Sequence, residues 1–137
     1  MKSIVKPLSI VFSALLLAVS QFAVAGGGDR VRLSCDAAGA RDISIDARYE
    51  ERRNRAKFDA SFEAAPNAGF TAGEELDVQV GGISVGTMTL VLAPGGDVTG
   101  DLEFDTQADE GNPFPGNFPE ISGGISVTVG GLGCALN

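Results

Sequence analysis

Apolar and polar residues alternate along most of the chain beyond residue 30. The strictest alternation covers residues 55–64, where Ala and Phe occupy every second position and charged or hydroxyl residues occupy the others. A period of two over a run of this length is typical of a strand that buries one face. Further strands are predicted at 31–35, 43–47, 76–80, 83–92, 98–105, 125–129 and 132–136.

Glycine and proline residues separate these runs, notably at Gly81-Gly82, at Pro94-Gly95-Gly96 and between Gly111 and Pro119. These are turn and loop residues, and short strands with regular turns indicate an all-β protein. We therefore predict a single-domain antiparallel β-sandwich or small β-barrel of about 7–9 short strands. The pattern does not choose between the two architectures.

The pentapeptide Gly-Gly-Ile-Ser-Val occurs twice, beginning at Gly81 and at Gly123. Gly81-Gly82 separates two alternating runs and predicts a hairpin. The predicted pairs are Val80 with Ile83, Val78 with Val85, and Leu76 with Thr87. After Gly86 the apolar residues change from odd to even positions, which predicts a β-bulge there. The same change from odd to even positions follows Gly130-Gly131, so both copies suggest a strand that bends. Residues that favour the start of a strand explain the repeat better than duplication of a segment does.

Cys35 and Cys134 are the only cysteines in the chain. Their spacing fits neither a redox motif nor a metal site, and we predict a buried disulfide that joins the first and last strands. Closing a loop of about 100 residues contributes roughly 4–5 kcal/mol in the chain-entropy model.

The N-terminal 25 residues have the pattern of a secretory signal peptide. Lys2 and Lys6 precede an apolar stretch at 8–19, and Ala23-Val24-Ala25 forms a small-x-small cleavage site. We expect residues 1–25 to be removed and residues 26–137 to form one exported β domain, periplasmic or extracellular. No other apolar run approaches the roughly 20 residues that span a membrane, so we expect no membrane insertion after cleavage.

The charge and the missing residue types exclude several functions. The formal net charge is −8, and signal cleavage would remove two of the ten basic residues. Nucleic acid would repel such a protein, whereas a protein or glycan partner, in particular a cationic one, would not. The chain has no His and no nucleophile-elbow motif, and we predict that it is not an enzyme.

Acidic residues gather in the predicted strand 98–105 and in its flanking turns. Asp101, Glu103 and Asp105 share one face of that strand, and Asp97 and Asp109 flank it. Like charges about 7 Å apart repel each other unless they are screened, and hard oxygen ligands suit calcium. These five residues are the candidate Ca²⁺ site, with no other cofactor indicated.

Phe114 and Phe118 lie in a proline-rich loop. They are either a pre-organised partner-binding loop or a cover over an open end of the sandwich.

The charges are also segregated along the chain, because no Lys or Arg occurs after Lys57. This pattern predicts either ordinary solvated strand faces, with Arg55 and Lys57 set against acids on a neighbouring strand, or a dipolar surface that steers a cationic partner or pairs head to tail with another copy. Two functions remain open. The first is a non-enzymatic structural or binding module, stabilised by calcium if the acidic site forms. The second is a small acidic inhibitor of a cationic hydrolase, such as a lysozyme or a protease.

Overall fold

The protein is an all-β sandwich. The computed structural model describes residues 30–107, 109 and 111–137, so the predicted signal peptide lies outside the described residues. The strands are β1 Arg30–Ala38, β2 Ile43–Arg52, β3 Arg55–Ala64, β4 Glu75–Val80, β5 Ile83–Thr89, β6 Val91–Leu92, β7 Val98–Asp105, β8 Ser126–Val129 and β9 Leu132–Ala135. They form a five-stranded sheet in the order β1-β2-β3-β7-β6 and a four-stranded sheet in the order β5-β4-β8-β9. All described strand pairs are antiparallel, and the two-sheet arrangement selects the sandwich over the barrel.

The core lies between the two sheets and follows the alternation of the sequence. In β3 the apolar positions Phe58 and Phe62 are 0% and 2% exposed, while their neighbours reach the surface. The four-stranded sheet contributes Val78, Val80 and Val127 from the other side, each fully buried. Burying such side chains contributes about 1.5–3 kcal/mol each, which makes the period-two pattern the main determinant of the fold.

The disulfide joins the two sheets at one side of the sandwich. Cys35 in β1 and Cys134 in β9 have Cα atoms 5.7 Å apart, which confirms the predicted pairing of the first and last strands. Both cysteines are partly buried, not fully buried as predicted, because β1 and β9 are edge strands. Ser34 and Asn137 also exchange two backbone hydrogen bonds of 3.2 Å, so two sheet edges meet here.

The opposite side of the sandwich is joined by the chain itself. The run 83–92 was predicted as one strand, but it divides at Leu90 into β5 in one sheet and β6 in the other. Leu90 is 1% exposed, and its backbone pairs with Gly73 and Glu74. The sheet change is therefore made by a buried residue whose backbone groups remain hydrogen-bonded.

The predicted hairpin forms, with its bulge one position earlier. Val80 pairs with Ile83 as predicted, but Val78 pairs with Gly86 and Leu76 with Met88. The predicted pairs of Val78 with Val85 and Leu76 with Thr87 are wrong, because Val85 is the extra residue. The side chain of Val85 is buried, as are those of Met88 and Leu90, which confirms the change of parity at these positions, whereas Ile83 and Leu92 are 40% and 68% exposed.

The two Gly-Gly-Ile-Ser-Val copies have different roles. Gly81-Gly82 forms the β4–β5 turn with both φ angles positive, whereas Gly123-Gly124 precedes β8. The counterpart of the first turn is Gly130-Gly131, which joins β8 to β9 with matching φ angles. That pair of glycines is a hairpin turn and not the bend in a strand that we predicted.

No helix occurs among the described residues, and accordingly none that could cross a membrane is found there.

Candidate interaction face

The outward side chains of β1, β2, β3 and β7 form one polar surface, which we call the charged face. Strand register arranges these side chains in rows across the five-stranded sheet. In order along the strand axis, the rows are Arg30-Arg52-Arg55, Arg32-Glu50-Lys57-Asp105, Ser34-Arg48-Asp59-Glu103, Asp36-Asp46-Ser61-Asp101 and Ala38-Ser44-Glu63-Thr99. Charge therefore changes sign from one end of the face to the other.

The basic pole is the end formed by Arg30, Arg32, Arg52, Arg55 and Lys57. Glu50 lies among them and accepts hydrogen bonds from Arg30 at 2.9 Å and Arg52 at 2.7 Å, while Arg32 Nη2 lies 3.5 Å away. One carboxylate cannot neutralise three guanidinium groups, so excess positive charge remains at this end. A surface depression of about 320 Å³ is lined here by Glu50, Arg52, Arg55 and Lys57.

A buried ion pair fixes one corner of the basic pole. The Arg55 guanidinium donates to both Asp105 carboxylate oxygens, at 3.2 and 2.7 Å, and the Gln107 backbone N–H donates to Oδ1 at 2.9 Å. These bonds lower the pKa of Asp105 below its ordinary value, with the Arg55 hydrogen bond as the largest cause. Because the folded pKa is lowered, the pair stabilises the fold above the ordinary carboxyl pKa. That contribution is lost as the pH falls through the folded value.

Asp105 points outward by strand parity but is 0% exposed. The chain folds back over it: the Asp105 backbone N–H donates to the Asn112 carbonyl at 2.8 Å, and Phe104 pairs with Asn112. A side chain built at Gly111 would begin only 3.1 Å from the Asp105 Cβ. The Arg55 bond therefore holds both the end of β7 and the segment that follows it.

The acidic pole is formed by Asp36, Asp46, Glu63 and Asp101. Its two rows contain no basic residue, although Arg41 lies in the adjoining β1–β2 turn. This end has a second depression of about 520 Å³, lined by all four carboxylate residues. At about 3.4 Å per strand residue, the centres of the two poles lie about 20 Å apart.

The middle row connects the poles and contains one base, Arg48, and two acids, Asp59 and Glu103; Arg48 also lies 3.5 Å from Asp46 of the acidic pole. Asp59 lies between Arg48 and Glu103, and burial is the largest of the causes that raise the pKa of its carboxyl. Arg48 and Lys57 act in the opposite direction and favour the charged form. Lys57 in turn donates to Glu103 at 2.8 Å, which raises the pKa of the lysine.

The five predicted calcium ligands do not converge. Asp101 belongs to the acidic pole, and Asp97 and Asp109 lie outside β7, before and after it. Glu103 and Asp105 pair with basic residues of β3. Among the residues that the structure describes, no group of three His, Cys, Asp or Glu side chains is arranged to hold a metal. The repulsion expected along β7 is relieved by Lys57 and Arg55 instead, and the calcium prediction gains no geometric support.

The two loop phenylalanines pack inward. Phe114 and Phe118 join Phe58 and Phe104 in a cluster that we call the phenylalanine plug. The Phe118 ring centroid lies 5.3 Å from that of Phe58, 5.9 Å from that of Phe104 and 4.8 Å from that of Phe114. Asn117 donates to the Ser84 carbonyl at 3.0 Å and ties the loop to β5. This geometry favours the cover over the end of the sandwich, one of the two alternatives that the sequence left open.

Part of the charged face was not predicted from the sequence, although Arg55 and Lys57 do pair with acids of the neighbouring strand as expected. The prediction included neither Arg30 and Arg32 in β1 nor Asp36 and Asp46 at the acidic pole. All four residues stand at even positions within two alternating runs. This pattern could have identified them, because a period of two places such residues on one side of a strand. The pattern does not show which strands are neighbours, so the poles could not be assembled from it.

No protein-family model matches the chain, and no curated protein or solved structure does so either.

Proposed function

We propose that this protein is an exported, non-enzymatic binding module whose working surface is the charged face. The observation that carries the proposal is the separation of charge on that face. Five basic side chains and the carboxylates of Glu50 and Asp105 lie at one end, and four carboxylates with no basic residue in their rows lie at the other, on four hydrogen-bonded strands. Charge complementarity of this kind gives an interface its orientation and its specificity.

The supporting scaffold suits a fixed binding surface. Strands hold side chains at set spacings, and the disulfide between Cys35 and Cys134 ties β1, the edge of the charged face, to the other sheet. A surface that is already ordered loses little conformational entropy on binding. The disulfide also fits the oxidising compartment to which a signal peptide would direct the chain.

The geometry gives less support to the inhibitor alternative. An inhibitor of a cationic hydrolase needs an exposed and rigid anchor, and Phe114 and Phe118 were the candidates for it. Both rings pack in the phenylalanine plug, where they contact Phe58 and Phe104. The acidic pole could still attract a basic protein, but the specific contacts would then come from the charged face.

Export is tested by the intact mass of protein isolated from a periplasmic or culture fraction. Cleavage after Ala25 should give a chain that begins at Gly26 and has both cysteines oxidised. A full-length chain in that fraction would contradict signal cleavage.

The binding surface is tested by charge reversal at each pole. The parent should capture a partner protein from the native compartment. That capture should be lost when either pole is reversed, by Arg32→Glu with Arg52→Glu at the basic pole or by Asp46→Lys with Asp101→Lys at the acidic pole. The matched control is Glu75→Lys with Glu120→Lys, two exposed acidic residues away from the charged face. If both reversals retain every captured partner, the charged face is not the binding surface.

A further inference from the structure

The symmetry of the charged face identifies its partner, and this inference rests on the proposed function of that face. We propose that the charged face binds the same face of a second copy of this chain, in the antiparallel sense, with the basic pole over the acidic pole. A single face that carries both charges is complementary to itself, as an isologous contact requires.

The strand register shows which arrangement satisfies this requirement. A two-fold axis across the strands, near the row of Ser34, Arg48, Asp59 and Glu103, reverses the order of the rows in the second copy. The Arg32 row then lies over the Asp36 row, and the Arg30 row lies over the Glu63 row. An axis parallel to the strands would place equal charges together, which costs several kcal/mol and is excluded.

The middle row faces its own copy under this axis. Each strand then lies over itself, so Arg48, Asp59 and Glu103 each face the same residue of the second copy. Arg48 is adjacent to Asp59 and lies 3.5 Å from Asp46, and Glu103 is paired with Lys57. The middle row therefore adds no attraction to the contact, which depends on the two poles.

Pairing of edge strands between two copies is a poorer route to self-association in this fold. The edges of β1 and β9 contact each other through the disulfide and the backbone bonds between Ser34 and Asn137. On the other side, β5 continues into β6, which has only two residues and is soon followed by Pro94. A short edge strand and proline hinder pairing along β6, and the charged face offers a larger surface than the seven-residue edge of β5.

The size of the face predicts a weak contact. Four strands about 4.8 Å apart and about nine residues long cover roughly 600 Å² per copy. Stable complexes bury about 800 Å² per partner, and smaller interfaces belong to transient associations. The net charge of −8 opposes the approach of a second copy at long range, so association depends on direct contact between the poles. We expect salt to weaken that contact, since the poles are exposed and are screened beyond about 10 Å in about 0.1 M salt.

The test uses two complementary variants and sedimentation. The basic-reversed variant is Arg32→Glu with Arg52→Glu, and the acid-reversed variant is Asp46→Lys with Asp101→Lys. Each should sediment as a monomer at concentrations where the parent self-associates. An equimolar mixture of the two should associate again, because the unaltered basic pole of the acid-reversed variant can then lie over the unaltered acidic pole of the basic-reversed variant. The dissociation constant of the parent should rise at least about tenfold between about 0.1 M and about 1 M salt, as the Debye length falls from about 10 to about 3 Å.

The outcomes separate this inference from the proposed function. A parent that stays monomeric at low salt, or a folded variant pair that does not recombine, overturns the second copy as partner. In either case the binding function survives if another partner is still captured in a pole-dependent manner. Glu75→Lys with Glu120→Lys has the same charge change as the acid-reversed variant and should associate like the parent. Thermal unfolding of each variant verifies that it is folded. A variant that does not fold is replaced by one with Gln or Asn at the same two positions, which should self-associate more weakly than the parent.

Discussion

Replacing Phe118 by Ala tests whether the loop covers the sandwich or anchors a partner. Phe118 is partly exposed, and its ring contacts the rings of Phe58, Phe104 and Phe114 at centroid distances of 4.8–5.9 Å. If these contacts close the end of the core, their loss should appear as lost stability.

The magnitude follows from the size of the side chain and the number of its aromatic neighbours. Truncating a core Phe to Ala costs about 3–5 kcal/mol, and aromatic pairs contribute about 0.5–1.5 kcal/mol beyond their area. Because Phe118 is partly exposed, we expect about 3 kcal/mol. One kcal/mol shifts the melting temperature by about 4–8 °C in a domain of about 100 residues, so the decrease should be about 12–24 °C.

Thermal and urea unfolding followed by circular dichroism measure this loss. Asn117→Ala is the control in the same loop, since it removes the hydrogen bond to the Ser84 carbonyl and should cost about 1 kcal/mol or less. Below its own melting temperature, Phe118→Ala should retain the partner bound by the parent. Parent-like stability together with lost binding would refute the plug and restore the loop as a partner anchor.

Three further predictions concern the scaffold. Unfolding without reductant should expose no free thiol, and reducing the bond between Cys35 and Cys134 should cost roughly 4–5 kcal/mol in the chain-entropy model, as read from urea midpoints; two free thiols would contradict the bridge. Gly86→Val should cost on the order of 1–3 kcal/mol, because a Cβ at Gly86 would lie 3.1 Å from Leu102 and 3.3 Å from Phe104. Gly116→Val, where a Cβ would have no neighbour within 4 Å, should leave the melting temperature nearly unchanged, and equal losses at both glycines would show that contact with the core is not the cause. Tyr49 is the only tyrosine, and burial with a hydrogen bond to Glu51 raises its pKa to about 12. Stability linked to its neutral phenol should be complete below pH 10 and lost as the pH rises towards 12, and an absorbance titration with a midpoint near 10 in folded protein would contradict this environment.

Local patterns were sufficient to predict the disulfide and most of the strands, but not the division of the run 83–92 between two sheets. Period two places Phe58 and Phe62 inward without reference to any other strand. The Gly81-Gly82 turn was predictable because both positions need positive φ, which glycine adopts freely. The position of the bulge was not, since Val85 and Gly86 both fit a change of parity and only the close approach of Gly86 to Leu102 distinguishes them.

Long-range register was the information that the sequence lacked. Asp105 was predicted to share an acidic strand face with Asp101 and Glu103; in the structure β3 places Arg55 against it, and the segment at Asn112 covers it. The same register turns a basic stretch followed by an acidic one into two poles on a single face. Parity determines the side on which a residue lies, whereas neighbouring strands determine its electrostatic environment.

The occupancy of the charged face can be measured at one residue. Lys57 lies in the basic pole and is the only lysine among the described residues. Its rate of acylation, followed by mass spectrometry with the α-amine as internal reference, therefore reports contact at that pole. The lysine should react several times more slowly in the associated protein and should regain the monomer rate when salt dissociates the complex. An unchanged Lys57 rate in a sample that sedimentation shows to be fully associated would contradict binding through the charged face.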